Sequence, residues 1–363
     1  MEHFEPNVLL DFFYIIIAIF IAIYNYFRMK NGKSGTGYVF FVIFILLFSL
    51  YYRPINSDFW SGILSYQTGT DAYVLHMEPF YYWLISVIPN NYLLWRTAIW
   101  LPAAIIIAIT YKMMSVSSSN LTTFFFIFAL TQTFYYLRNI LGFSILCLAI
   151  VYLCSHKKDK AKIFYWIIFF GFAFISWLLH KSMPVYISLA LVALLLPFNK
   201  NYIRIAILII PILSFFVTDV ASEMIGFENI WYVGNGQEYL DAENTFKMNW
   251  KGIVSAAIQN APVAYFYYIA FSKPLPQTNS NFIYYKVFLL FSFFILLLSI
   301  TFIGIGAEVL RLRFYYTSMF PFAFAVSLYF KEYLNSKQCK NFMYLIAANY
   351  SWQLLLIVVL GEH

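Results

Sequence analysis

Charge is scarce in this chain: Asp, Glu, Lys and Arg make up 11% of its 363 residues, against 62% hydrophobic and 22% aromatic. So little polar surface cannot cover the apolar remainder in water, which excludes a soluble globular protein and leaves a polytopic, all-α membrane protein. Cysteine is equally sparse. Cys147 and Cys154 share one apolar run and Cys339 lies among lysines, so no disulfide framework is expected and all three read as small buried hydrophobes. Also missing are a glycine-rich phosphate cradle, a basic tail, an internal repeat and a Pro- or Ser-rich linker. These absences argue against ATP hydrolysis, exclude nucleic acid as a partner despite the net charge of +7, and leave residues 1–363 as one domain. Membrane lipid headgroups account better for the positive charge.

What the chain has in abundance is long apolar runs. A helix needs roughly 20 apolar residues to cross a hydrocarbon layer about 30 Å thick. Twelve stretches are candidates: 8–27, 37–52, 92–111, 121–137, 139–154, 163–179, 183–197, 203–219, 252–271, 285–304, 314–330 and 342–360. The first follows acidic residues and lacks a small-residue cleavage site, so a retained span is expected there. The 11 residues Pro79–Pro89 are too few to cross, and predict an interfacial or re-entrant helix. Leu121–Cys154 has 34 residues, about 51 Å as one helix, and must fold back near Arg138 and Asn139.

With both termini outside, the inner loops fall at 28–36, 111–120, 155–162, 198–204, 272–286 and 331–340, and hold fifteen of the 23 Lys and Arg. That agrees with the positive-inside rule. Of 16 acidic residues only Asp159 and Glu332 lie in those loops. Arginine runs against the trend: Arg53, Arg96, Arg138, Arg311 and Arg313 all fall on the outer side. Two outer loops frame the expected site. One is 53–91, with Asp58, Asp71, His76 and Glu78; the other is 220–251, acidic and carrying Trp231, Tyr232 and Tyr239.

A guanidinium is always charged and offers a rigid fork of donors that matches phosphate oxygens, so arginines at a membrane boundary point to a phosphate-bearing lipid. Arg138 is the strongest candidate, because an isolated charge in a tight hairpin demands a partner. Arg311, Arg313 and Arg53 are further candidates for a diphosphate. Arg53 also fits a stop-transfer anchor, and Arg96 a residue reaching up to the headgroups. Glu308 shares a helix face with Arg311 and fits a local ion pair as well as a catalytic group. His180, at the outward end of a span, can act as a base near neutral pH, with Asp58 and Glu78 as competing bases. The aromatic side chains of Trp231, Tyr232 and Tyr239 suit stacking on sugar rings, although an interfacial belt accounts for most of the chain's 31 tyrosines and 9 tryptophans. Asp241 and Glu243 lack His or Cys support, so no metal site is expected.

At these residues the chain resembles the EpsG/Wzy-like family of exopolysaccharide and O-antigen polymerases. The matching elements, spread over roughly residues 50 to 320, are Asp58 with Tyr66, Glu78-Pro79-Phe80, Leu137-Arg138-Asn139-Ile140, His180-Lys181-Ser182, and Arg311 with Phe314-Tyr315. Where the family usually has glutamine and then alanine after the central arginine, this chain has Asn139 and Gly142. The resemblance implies a metal-independent, cofactor-free glycosyltransferase of the cytoplasmic membrane that joins oligosaccharide repeat units carried on undecaprenyl diphosphate at the outer face. It also implies a chain-length regulator as a partner. The alternatives are ligation of a finished glycan, as in O-antigen ligases, a lipid-linked oligosaccharide flippase or other transporter, and a membrane acyltransferase. The last would need essential His or Arg on the inner side, where lysine predominates.

Overall fold

A computed structural model describes residues 8–33, 36–51, 79–88, 91–130, 137–156, 162–180, 182–202, 204–205, 250–301 and 308–355. Among the described residues every regular element is helical. The helices are α1 (Val8–Lys30), α2 (Tyr38–Tyr51), α3 (Pro79–Val87), α4 (Tyr92–Met113), α5 (Ser118–Phe124), α6 (Leu137–Ser155), α7 (Lys162–Leu179), α8 (Met183–Leu195), α9 (Trp250–Ser272), α10 (Phe282–Thr301), α11 (Glu308–Tyr333) and α12 (Lys337–Leu355). The segment Leu93–Met113 of α4 and the segment Phe282–Ile300 of α10 are long and apolar enough to cross a membrane. Helices occupy eleven of the twelve apolar stretches; the stretch 203–219 and the loop 220–251 lie almost wholly outside the described residues.

Helix α6 is described from Leu137 onward, so Arg138 and Asn139 are helical; residues 131–136, where a fold-back near Arg138 would fall, lie outside the described residues. Upstream, α5 runs into a π-helical turn, Phe125–Leu130, whose Ile127 carbonyl accepts the Tyr350 hydroxyl of α12 at 2.6 Å. Expanding a helix to π geometry weakens its own ladder, and the added bond ties that turn to a neighbouring helix.

The core is built largely of rings. Helices α10 and α11 pack along one another, with Phe288 stacked on Phe324 at 4.6 Å, while α6 packs on both α4 and α7. Phe266 of α9 meets Phe322 at 5.0 Å and Phe124 of α5 meets Phe330 at 4.6 Å. Offset and edge-on ring pairs of this kind are how a chain so rich in phenylalanine fills space between helices.

The lysine-rich loops meet at one end of the bundle. Tyr38 donates to the Val116 carbonyl, which joins the first loop to the second. In the orientation that satisfies both of its polar atoms, the Asn281 amide donates to the Met114 carbonyl at 3.0 Å and accepts from Lys331 Nζ at 2.8 Å. Ser155 and Tyr284 share a hydrogen bond of 2.9 Å, and Tyr333 donates to the Pro274 carbonyl at 3.3 Å. Ser115, in the turn after α4, has φ of 55°, a left-handed conformation that a non-glycine residue adopts only when its surroundings hold it there. Cys339 is buried at the same end, and burial pushes its thiol up to about 11, as befits an inert structural cysteine.

Lys286, 8% exposed, ends α8: its Nζ donates to the Leu196 carbonyl at 2.7 Å and to Leu194 at 3.4 Å. A cation on the last carbonyls of a helix satisfies groups that have no intrahelical partner and complements the helix dipole. Lys286→Met should keep the bulk but strand those carbonyls, costing on the order of 1–3 kcal/mol. A lowered unfolding temperature of the detergent-purified variant would register the loss; an unchanged one would mean that water replaces the lysine.

Candidate functional site

Helix length alone places several of the sequence candidates in one layer. Arg138 lies about 17 residues from Ser155, the loop-end terminus of α6, and His180 about 18 from Lys162, which begins α7. Arg313 precedes Lys331 on α11 by about 18. At a rise of ~1.5 Å per residue all three stand roughly 26 Å above the lysine-rich end. Arg96 stands at the same height, about 17 residues before Met113 on α4.

Contacts between helices bring three of these positions around one another. Ser176 Oγ donates to the Gly142 carbonyl at 2.6 Å, locking α7 against α6. A Cβ at Gly142 would lie 3.2 Å from the Ser176 carbonyl oxygen and 3.3 Å from Met183 Sδ, so glycine is what permits this approach. Arg138 is one turn before Gly142 and His180 one turn after Ser176, which puts their backbones side by side above that contact. Helix α8 continues the ring. The Tyr186 phenol packs edge-on against Phe143 at 4.7 Å and against Phe314 at 5.7 Å. Its hydroxyl reaches Thr317 Oγ1 at 3.5 Å, and Thr317 in turn donates to the Arg313 carbonyl at 2.7 Å.

His180 is half-buried and held by its own chain. Its Nδ1 accepts the Ser182 backbone N–H at 3.1 Å and shares a 2.7 Å hydrogen bond with the Ser182 hydroxyl. Ser182 precedes the first turn of α8 without capping it, because its hydroxyl is turned to the histidine instead.

The other sequence candidates divide in two. Arg311 occupies the first turn of α11, three residues after Glu308, so the two share a helix face. Arg53, Asp58, Glu78, Trp231, Tyr232 and Tyr239 lie outside the described residues. Among the described residues no group of three His, Cys, Asp or Glu is placed to hold a metal ion.

Arg96 corrects an expectation. It does not reach for a headgroup layer but is 1% exposed, between the buried Trp95 and Trp100 side of α4 and the helices packed on it. Hydropathy along the chain cannot separate the lipid-facing from the bundle-facing side of a helix, and the α4 pattern is too uniformly apolar to reveal the difference. Tyr186 and Thr317 were equally invisible as site residues, whereas Ser182 stood in the element His180-Lys181-Ser182. Tyr186 is one tyrosine among 31.

No family model, curated protein or solved structure matches this chain. The site must therefore be judged on its chemistry. It brings together two guanidinium-bearing helix positions, an imidazole and the hydroxyls of Ser182, Tyr186 and Thr317, at the end of the bundle away from the lysine-rich loops. Such a set can hold a divalent or more highly charged anion and supply hydrogen bonds to it, with a titratable group at hand.

Proposed function

We propose that this protein is a glycosyltransferase of the EpsG/Wzy type, joining lipid diphosphate-linked oligosaccharide repeat units at the outer face of the cytoplasmic membrane. The observation that carries the reading is the convergence of Arg138, His180 and Arg313 in one layer, roughly 26 Å from the lysine-rich end. That separation approaches the thickness of a hydrocarbon core. It suits a multi-pass protein whose lysine-rich loops face the cytosol and whose arginines meet the opposite headgroup layer. Twelve spans with both termini outside complete this topology.

In the reaction, a hydroxyl of the acceptor sugar loses its proton to His180, Asp58 or Glu78 and its oxygen bonds to the anomeric carbon of the donor glycan. The bond from that carbon to the lipid diphosphate breaks, and the electron pair leaves with the diphosphate oxygen. Guanidinium groups of Arg138, Arg313, Arg311 and Arg53 stabilise the charge that develops there. The phosphoester already activates the donor, so no nucleotide is consumed. Trp231, Tyr232 and Tyr239 are assigned to stacking on the sugars.

Purified protein incubated with an undecaprenyl diphosphate-linked repeat unit and a chelator should yield a ladder of products. A single adduct would indicate ligation. Absence of product, combined with movement of the substrate across a vesicle membrane, would replace the enzyme with a transporter.

A further inference from the structure

We propose that the groove between α2 and α4 is a lipid site, which takes one acyl chain of an anionic glycerophospholipid of the cytoplasmic leaflet and holds its phosphate with Lys112 and the lysines of the first loop. The groove has a volume of about 280 Å³. Val39 and Ile43 of α2 and Ile105 and Ile109 of α4 form its walls, all of them exposed, and Ala108, only 7% exposed, lies at its floor. The small side chain at 108 is what leaves the space open. Tyr38 is the lining residue with a polar group, and its hydroxyl is turned to the Val116 carbonyl. Such a hollow offers nothing to water or to a sugar, and suits a hydrocarbon chain.

Its place along the helices supplies the headgroup site. Helix α2 leaves the lysine-rich end at Tyr38 and α4 returns to that end at Met113, so the groove opens beside the two loops there. Lys112 is exposed, three residues after Ile109 and four after Ala108, and so continues the same helix face toward the loops. The first loop adds the exposed Lys30 and Lys33, and the bond from Tyr38 to the Val116 carbonyl ties that loop to the one after α4. Together the loops 28–36 and 111–120 carry Arg28, Lys30, Lys33 and Lys112 and no Asp or Glu. The mouth of the groove is therefore of one sign, at the level where a phosphate would stand above an inserted tail.

A tail that enters the groove exchanges one hydrocarbon for another, so apolar character alone gives this site little advantage over the surrounding bilayer. Selection must come from the headgroup. Lysines with no carboxylate among them favour a phospholipid of net negative charge over a zwitterionic one. A second copy of the chain suits the groove less, because side by side in one membrane the two lysine-rich ends would meet with like charge. The inference rests on the multi-pass reading with those loops in the cytosol, where the leaflet is anionic, and does not depend on glycosyl transfer.

The test is native mass spectrometry of the full-length, delipidated protein in mild detergent, titrated with dioleoyl phosphatidylglycerol or with dioleoyl phosphatidylcholine. The expected result is one phosphatidylglycerol retained per chain in preference to phosphatidylcholine. Lys112→Gln, on the exposed surface, should weaken phosphatidylglycerol binding about fivefold, the effect of one cation near a charged headgroup, and leave phosphatidylcholine unchanged. Ala108→Phe should fill the floor and abolish the preference. Should that variant fail to fold, Val39→Asn, at a position 74% exposed, sets an amide in the groove without touching the core and should lower retention of phosphatidylglycerol. Equal retention of the two lipids by the wild type would overturn the charge-selected site, and wild-type retention by a folded groove variant would overturn its location. A delipidated dimer that Val39→Asn dissociates would give the groove to a second copy and equally overturn the proposal. No repeat unit enters the assay, so its failure is distinguishable from failure of the product ladder.

Discussion

Arg138→Ala should abolish synthesis of long glycan while the protein still inserts into the membrane in normal amount. Removal of one preorganised donor from a site where negative charge develops typically costs on the order of a hundred- to a thousandfold in rate. Arg138→Lys retains a charge but loses the two-pronged geometry, and is expected to recover only a small part of the activity. The measurement is the length distribution of glycan in a strain lacking the native protein and complemented with each variant, beside an immunoblot of the membrane fraction. Full-length polymer from the alanine variant would strip the arginine of its role and with it the main support for a diphosphate site.

Gly142→Leu should be nearly as damaging for a different reason. The Ser176 carbonyl would be 3.2 Å from the new Cβ before any further atoms are added, and it is backbone held by α7, so it cannot swing aside. Inserting that volume forces α6 and α7 apart, at about 1–3 kcal/mol for overpacking, and breaks the 2.6 Å bond from Ser176 to the Gly142 carbonyl. Arg138 and His180, one turn above, would lose their mutual spacing. Gly142→Ala should be mild, since its higher helix propensity, worth roughly 1 kcal/mol, offsets a contact only a few tenths of an ångström too close. Thermal unfolding in detergent and the product ladder should therefore both separate leucine from alanine. A leucine variant equal to wild type in both would show that the two helices do not set the site.

The helical nature of the chain was legible from its runs of apolar residues, since length and hydropathy alone demand helices of a certain size. The boundaries of α4, α7 and α8 fall within three residues of expectation because flanking signals were present: Asn91 caps α4 through a 3.0 Å bond to Leu94 N, and Ser182 and Pro184 open α8. Arg96 was misjudged in its surroundings, because depth within a bundle depends on which helices pack beside it. His180 was found by its residue type and its place at a helix end. Tyr186 and Thr317 were not, since threonine and tyrosine are common on both lipid-facing and buried helix faces, and the bond from Tyr186 to α11 joins residues 131 positions apart.

Arg138, His180 and Arg313 share one elevation although each is reached from the lysine-rich end by a separate helix. Each turn of helix acts as a graduation of fixed height, so the depth of the reactive layer is metered by residue number and not by side-chain contacts. One residue inserted below Arg138 within α6 would lift the arginine by about 1.5 Å and swing it by roughly 100°. Chain length between these landmarks is thus itself under constraint, as strictly as the chemistry it carries.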